Sequence, residues 1–140
     1  MARISTRCGN ATTGGKVTVH GSIEFTITER GADRVVAEMP IQAGIKNPFG
    51  GVHAGAMLWF ADVTATVLVM GERDMSEGMK GFPLAISLNA NFVANQTDGS
   101  LKAVASFVRQ GRTVSVVRTA VYGAADKLVA DVTTSHVLSK

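Results

Sequence analysis

Hydrophobic and polar positions alternate with period two over residues 21–30, placing Ile23, Phe25 and Ile27 on one face. That is the pattern of a half-buried strand. Gly31, Ala32 and Asp33 make a turn, and residues 34–41 resume strand character with Val35, Ala37 and Met39 on one face. The two segments predict an antiparallel hairpin whose pairing weakens near Pro40. Residues 42–52 then gather Gly44, Asn47, Pro48, Gly50 and Gly51, a density of turn formers that predicts a loop with demanding backbone angles.

From residue 53 to about 70 the period changes. No proline interrupts the stretch, and no glycine follows Gly55 until Gly71. Ala, Leu and Met favour helix while Val63, Thr64, Thr66 and Val67 do not. Length decides for helix, because a strand so long would be unusual. A connector over 71–81 carries Glu72, Asp74, Glu77 and three glycines, and strands are predicted near 83–94, 100–110, 112–123 and 127–139. Turns at 95–99, 110–111 and 123–126 separate them. The order β-β-α-β-β-β-β predicts an α+β fold, an antiparallel sheet wrapped around one long helix that is apolar nearly all round.

Composition narrows the picture. A chain of 140 residues suits one domain, with residues 1–18 as an irregular lead-in, and buries roughly two thirds of its unfolded surface. With 46% hydrophobic and 18% charged residues, disorder is excluded. The apolar stretch 54–70 is broken by Asp62, Thr64 and Thr66 and falls short of the ~20 clean residues of a membrane span. The first fifteen residues hold Arg3 and Arg7 but no apolar run, so no secretory signal is expected. Cys8 is the only cysteine, which excludes an intramolecular disulfide and any Cys-based zinc spacing and fits a cytoplasmic setting. The net charge of +3 is scattered along the chain, so neither nucleic acid nor a membrane is expected as partner, while a small phosphate-bearing anion fits.

Asp62 stands out chemically. Its helical neighbours four and three positions either way are Leu58, Trp59, Ala65 and Thr66, so the carboxylate shares a mainly apolar face. Burying it unpaired is costly, and the cost is met by pairing, by a raised pKa or by a function. The other reading is a single solvent-facing stripe with Asp62 on it. Just upstream, the Gly-rich segment 47–55 runs into the helix start, where free backbone N–H groups and the positive dipole end suit a developing oxyanion. Taken alone, His53 is a helix-start residue that satisfies local backbone groups, and His20 and His136 offer no metal-like cluster.

Asn47, then His53-Ala54-Gly55, then Asp62 nine positions after His53 resembles the Asn…His-Gly-Gly…Asp/Glu signature of hotdog-fold acyl-CoA thioesterases of the 4-hydroxybenzoyl-CoA and phenylacetate-degradation (PaaI) type. The turn Arg109-Gln110-Gly111-Arg112 and the strand from Lys127 to Asp131 are similar too, so the likeness spans about residues 21–138. It implies a hotdog fold and hydrolysis of an acyl-CoA thioester to free acid and CoA. Asp62 would act as nucleophile or as general base on water. The Ala54 N–H would bind the thioester oxygen, with Gly55 beside it against the substrate. His53 would orient the loop, Asn47 would position the water or the carbonyl, and Thr66 would offer a water-binding hydroxyl. Arg109, Gln110, Gly111 and Arg112 would meet the CoA phosphates, Phe82 the acyl chain, while Arg118 and Lys127 read as solvated strand ends.

The resemblance also implies an obligatory homodimer with shared active sites, often paired into a tetramer. It implies no metal or redox cofactor; coenzyme A enters as part of the substrate. Two departures stand out. His-Ala-Gly replaces His-Gly-Gly, and Ala85 stands where some relatives carry a strand hydroxyl, with Ser87 expected on the same sheet face. The first departure keeps open a non-catalytic module that binds acyl-CoA or acyl-carrier protein. A hydratase on the same fold and a structural scaffold are further alternatives. Aryl, hydroxyaryl and medium-chain acyl groups all fit the pattern.

Overall fold

The computed structural model describes residues 3–4, 15–73 and 80–140. Two-residue strands β1 (Arg3–Ile4) and β2 (Val19–His20) pair with each other. They are followed by β3 (Thr26–Arg30), β4 (Arg34–Pro40), α1 (Ala54–Met70), β5 (Pro83–Phe92), β6 (Ser100–Gln110), β7 (Val114–Tyr122) and β8 (Leu128–Leu138). The last six strands form one antiparallel sheet in the order β3-β4-β6-β7-β8-β5. α1 touches all six. Six strands spaced about 4.8 Å apart span about 24 Å, roughly twice the diameter of a helix with its side chains. Contact with every strand therefore requires the sheet to curl around α1, which is the expected hotdog arrangement.

The inward face of the sheet follows the alternation. Val35, Ala37 and Met39 of β4 sit opposite Ala105, Ala103 and Leu101 of β6, all fully buried. Val117 and Val121 of β7 and Ala130 and Val132 of β8 continue the surface. Against it α1 places Met57, Phe60, Ala61, Ala65 and Leu68. The unfavourable threonines in this helix are accommodated because Thr64 donates to the Phe60 carbonyl at 2.7 Å and Thr66 to that of Asp62 at 2.8 Å, which hides each hydroxyl within its own helix. Gly71 ends α1 at φ 69, its N–H reaching the carbonyls of Val67 and Leu68 at 3.2 Å each, as a left-handed terminator does. Arg30 donates to the carbonyls of Gly71 and Arg73, placing a cation at the negative end of the helix. Among the described residues no helix is long and apolar enough to cross a membrane.

Two expectations are corrected. Residues 21–25 do not join the ladder, since Ser22 donates to the Gly44 carbonyl at 3.1 Å and β3 starts only at Thr26. Ile23 and Phe25 still pack on the core, so the alternation marked burial without marking pairing. The hairpin pairing of β4 with β3 ends at Glu38, short of Pro40, as expected, while β4 stays in register with β6 to its last residue. The second is a β-bulge in β5: Ala85 faces His136, but Ser87 faces Ser135. Residues opposite each other in an antiparallel pair share a face, so the extra residue moves Ser87 to the side away from Ala85. Asp74, Glu77 and Cys8 lie outside the described residues.

Phe60 is fully buried, and Phe25 packs edge-on against both it and Trp59, with ring centroids 5.0 Å apart in each pair. Phe60→Ala should lower unfolding free energy by about 3–5 kcal/mol, read as a fall in denaturant midpoint at unchanged slope. A loss under about 1 kcal/mol would show that this aromatic cluster is not the core of the fold.

Candidate active site

The loop before α1 is built to hold one shape. Asn47 accepts hydrogen bonds through Oδ1 from the N–H groups of Phe49 at 2.9 Å and Gly51 at 3.1 Å, while its own N–H donates to the Gly51 carbonyl at 2.7 Å. Gly50 takes φ 86, a left-handed angle that suits glycine. From the β5–β6 connection, Asn95 grips Val52 on both sides: Oδ1 accepts from its N–H at 2.9 Å and Nδ2 donates to its carbonyl at 3.1 Å. A Cβ on Gly51 would lie 2.7 Å from that Asn95 nitrogen, so glycine is required there. Asn95 was legible only as a turn former; its partner is 43 positions away, a pairing no local pattern announces.

His53 takes the residue before the helix, donating its N–H to the Ile45 carbonyl at 2.8 Å and accepting from Ala56 and Met57 at its own carbonyl. Its side chain makes no capping bond, so it does not serve the helix-start backbone. It lines an apolar groove of about 360 Å³ together with Ile23, Ile45, Gly55, Ala56 and Trp59. Ala54 opens the helix and is exposed, and an N–H at that position has no intrahelical acceptor. A Cβ on Gly55 would meet nothing within 4 Å, so the helix start borders open space.

Asp62 is half-buried, and one of its oxygens, Oδ1, is fully buried without a hydrogen-bond partner among the described residues. Burial pushes its carboxyl above the ordinary 3.8, and the nearby His136 offsets part of that rise. Asp62 does lie on the least buried stripe of α1, with Gly55, Leu58 and Trp59, as the stripe reading has it, but that stripe is otherwise apolar and leaves Oδ1 buried. Thr66 spends its proton on the Asp62 carbonyl, leaving its lone pairs as acceptors. His136, on β8, is 1% exposed. Its Nε2 lies 2.9 Å from Thr134 Oγ1, and its Nδ1 is buried without a partner. Sequence reasoning passed over His136 by testing it only for metal clusters. The available signal was its inward position in the alternation Ala130, Val132, Thr134, His136.

Arg109, Gly111 and Arg112 come together around a groove of about 500 Å³ at the β6–β7 turn. Gly111 is obligatory, since a Cβ there would lie 2.1 Å from the Val114 carbonyl oxygen. Gln110 points to a separate groove with Arg30, Leu68 and Gly71. Arg118 is not a strand-end residue: it lies in the middle of β7 and is engaged in a bidentate pair with Asp131, both contacts at 2.8 Å, whereas Lys127, just before β8, reaches the Asn95 carbonyl at 3.4 Å. Phe82 is tied to the chain end, donating to Ser139 Oγ at 2.9 Å. Ala54 and Asp62 are eight helical positions apart, about 12 Å along the axis, so one chain does not bring them to the same atom.

Residues 8–138 match a family model described as a domain of unknown function, DUF4442. The chain is 29% identical over 114 residues to the Bacillus subtilis (strain 168) protein named "Putative esterase ComA2", spanning 81% of this chain and 88% of that one. Among solved structures it is similar to a mutant thioesterase from Staphylococcus aureus subsp. aureus Mu50, with a TM-score of 0.76 at 22% identity over 83% of this chain and 93% of the other. It is also similar to a "Hypothetical Thioesterase Protein with Coenzyme A" from Streptococcus pneumoniae TIGR4, with a TM-score of 0.72 at 17% identity over 83% and 86% of the two chains. The fold is thus that of the hotdog thioesterases, and the chain belongs to the DUF4442 family.

Proposed function

We propose that the protein hydrolyses an acyl-CoA thioester to a free acid and CoA, in the manner of the 4-hydroxybenzoyl-CoA and PaaI-type enzymes. The observation that carries this reading is Asp62, a carboxylate held in an otherwise apolar helix with one buried, unpartnered oxygen. A group kept at that cost is one that reacts. Asp62 attacks the thioester carbonyl, and water then hydrolyses the mixed anhydride so formed, or Asp62 takes a proton from water that attacks directly; the Ala54 N–H receives the charge that develops on the carbonyl oxygen; CoA leaves as thiolate. Alanine in place of glycine keeps the main-chain donor. The names of the solved relatives, one of them carrying coenzyme A, support the substrate class, and a CoA substrate fits a cytoplasmic setting. The arginine groove at the β6–β7 turn suits the CoA phosphates, and the apolar groove beside His53 suits an aryl or medium-chain acyl group.

The 12 Å between Ala54 and Asp62 makes a second copy of the chain part of this reading. One protomer supplies Asp62 and its partner supplies the loop with Asn47, His53 and Ala54. β5 is an edge strand, and it exposes Leu84, Ile86, Leu88 and Phe92, an apolar edge of the kind that pairing covers.

Free-thiol release should be seen with at least one member of an aryl- and acyl-CoA panel, and Asp62→Ala should lower kcat/KM by about a hundredfold or more. Because only ionised Asp62 reacts and burial raises its pKa, the rate should fall on the acid side at a pH above 3.8. Binding of CoA esters without turnover would replace this reading by that of a non-catalytic binding module. A sharper test is complementation. Ala54→Pro removes the donor at a position that tolerates proline, and a co-refolded equal mixture with Asp62→Ala should regain roughly a quarter of wild-type activity through mixed dimers. No recovery would place each site within one chain. Asn95→Ala should cost about 1–3 kcal/mol and raise hydrogen exchange at the Val52 amide; unchanged protection there would mean that Asn95 does not hold the loop.

A further inference from the structure

The apolar groove beside the helix start has three walls drawn from separate parts of the chain. α1 supplies Ala56 and Trp59, the short 3-10 turn Ala43–Ile45 supplies Gly44 and Ile45, and the segment ahead of β3 supplies residues 19–23. The walls are fastened to one another. Ser22 donates its N–H to the Gly44 carbonyl at 3.1 Å, and His53 donates its own to the Ile45 carbonyl at 2.8 Å, so the turn pins both the leading segment and the start of α1. Ile45 belongs to the core and Ile23 packs on it. Phe25 stands edge-on to Trp59, with centroids 5.0 Å apart and 72° between the ring planes. The indole is still 45% exposed, and it borders the groove. Among the described residues that line the groove, none is Asp, Glu, Lys or Arg, so its occupant is an uncharged, apolar group.

We propose that Trp59 is the specificity-determining residue of this groove, selecting a flat, ring-bearing acyl group over a flexible chain of equal size. The placement follows from the helix start: His53 lines the groove and precedes Ala54, so an acyl group whose carbonyl meets the Ala54 N–H has its tail at this slot. The preference follows from the walls. In a slot whose sides are fixed, a rigid ring loses little freedom on entering, whereas an alkyl chain gives up its rotamers. An indole held in place by Phe25 also offers a second ring the offset or edge-on contact that an alkyl chain cannot match.

The inference rests on the thioesterase reading for the identity of the occupant, and its test has a readout that needs no turnover. Trp59 is the one tryptophan of the chain, so its fluorescence reports on the groove. Phenacyl-CoA and 2-oxooctyl-CoA are thioethers of equal carbon count that hydrolysis cannot consume, one ending in a ring and the other in a chain. Phenacyl-CoA should change the Trp59 emission on binding, and calorimetry should find it bound about three- to tenfold more tightly than 2-oxooctyl-CoA. Trp59→Leu should bring that ratio to about one, and Trp59→Phe should restore most of it. In hydrolysis the ratio of kcat/KM for benzoyl-CoA over heptanoyl-CoA should fall and recover in the same variants. A ratio that survives Trp59→Leu, or an emission unmoved while calorimetry records binding, overturns the inference and leaves the thioesterase reading in place. Emission that follows protein concentration but neither thioether would make Trp59 a subunit contact instead. Should the leucine variant not fold, the wild-type emission and affinity ratio decide alone, and a ratio of one or less overturns the inference. Binding of neither thioether, with no turnover of any CoA ester, would remove the thioesterase reading itself and this occupant with it.

Discussion

A seventeen-residue helix that is apolar on nearly every side is stable in water only when nearly every side is covered. That requirement shapes the rest of the molecule. A flat sheet would cover one stripe, so six strands curl until each touches α1, and the small residues Ala37, Ala103 and Ala105 line the region where β4 and β6 approach it. The threonines inside α1 are tolerated for the same reason. Their hydroxyls face an apolar surround and turn back to carbonyls one turn earlier, the local solution when no other acceptor is near.

Against that background Asp62 is the one acidic residue of α1, and its environment resists its charge. Desolvation raises the pKa of a carboxyl, and an adjacent imidazole lowers it. The balance leaves the Asp62 pKa raised from its ordinary value. The loop before α1 is held by a different device, locked by Asn47 from within and by Asn95 from outside. The carboxyl is tuned by burial and the loop by hydrogen-bond geometry, two devices on different parts of the chain.

Much of the frame was legible in the sequence. The turn formers at 95–99 and 110–111 located β6 at residues 100–110, the length of the stretch after residue 53 without proline located α1, and the glycines at 50 and 71 marked its approach and its end. What escaped was set by partners distant in sequence. Ile23 and Phe25 have the spacing of a strand but no strand beside them, because Ser22 is drawn to Gly44 instead. The face of Ser87 depends on a bulge, an event of two strands in register. The grip of Asn95 on Val52 and the burial of His136 arise only when the sheet closes on the helix. His53, Ala54 and Asp62 were found because the hotdog resemblance gave them roles, whereas His136 matches no motif and became visible only through its unpartnered nitrogen.

On the proposed reading, the helix also explains why the site would draw on two chains. Its N-terminal donors and its mid-length carboxylate are locked about 12 Å apart by the rise of the helix itself, and no side-chain rotation closes that gap. Moving the carboxylate toward the N-terminus would bring it to the exposed end of α1, where solvent would lower its pKa. If the proposed reaction uses both groups, burial at mid-helix and a donor at the helix start would have to come from two protomers, with each helix start placed against the middle of the other helix. The exposed apolar edge of β5 then has a second consequence, since the same pairing that covers Leu84, Ile86 and Leu88 would assemble both sites at once. On this reading folding, association and catalysis depend on the same buried surface.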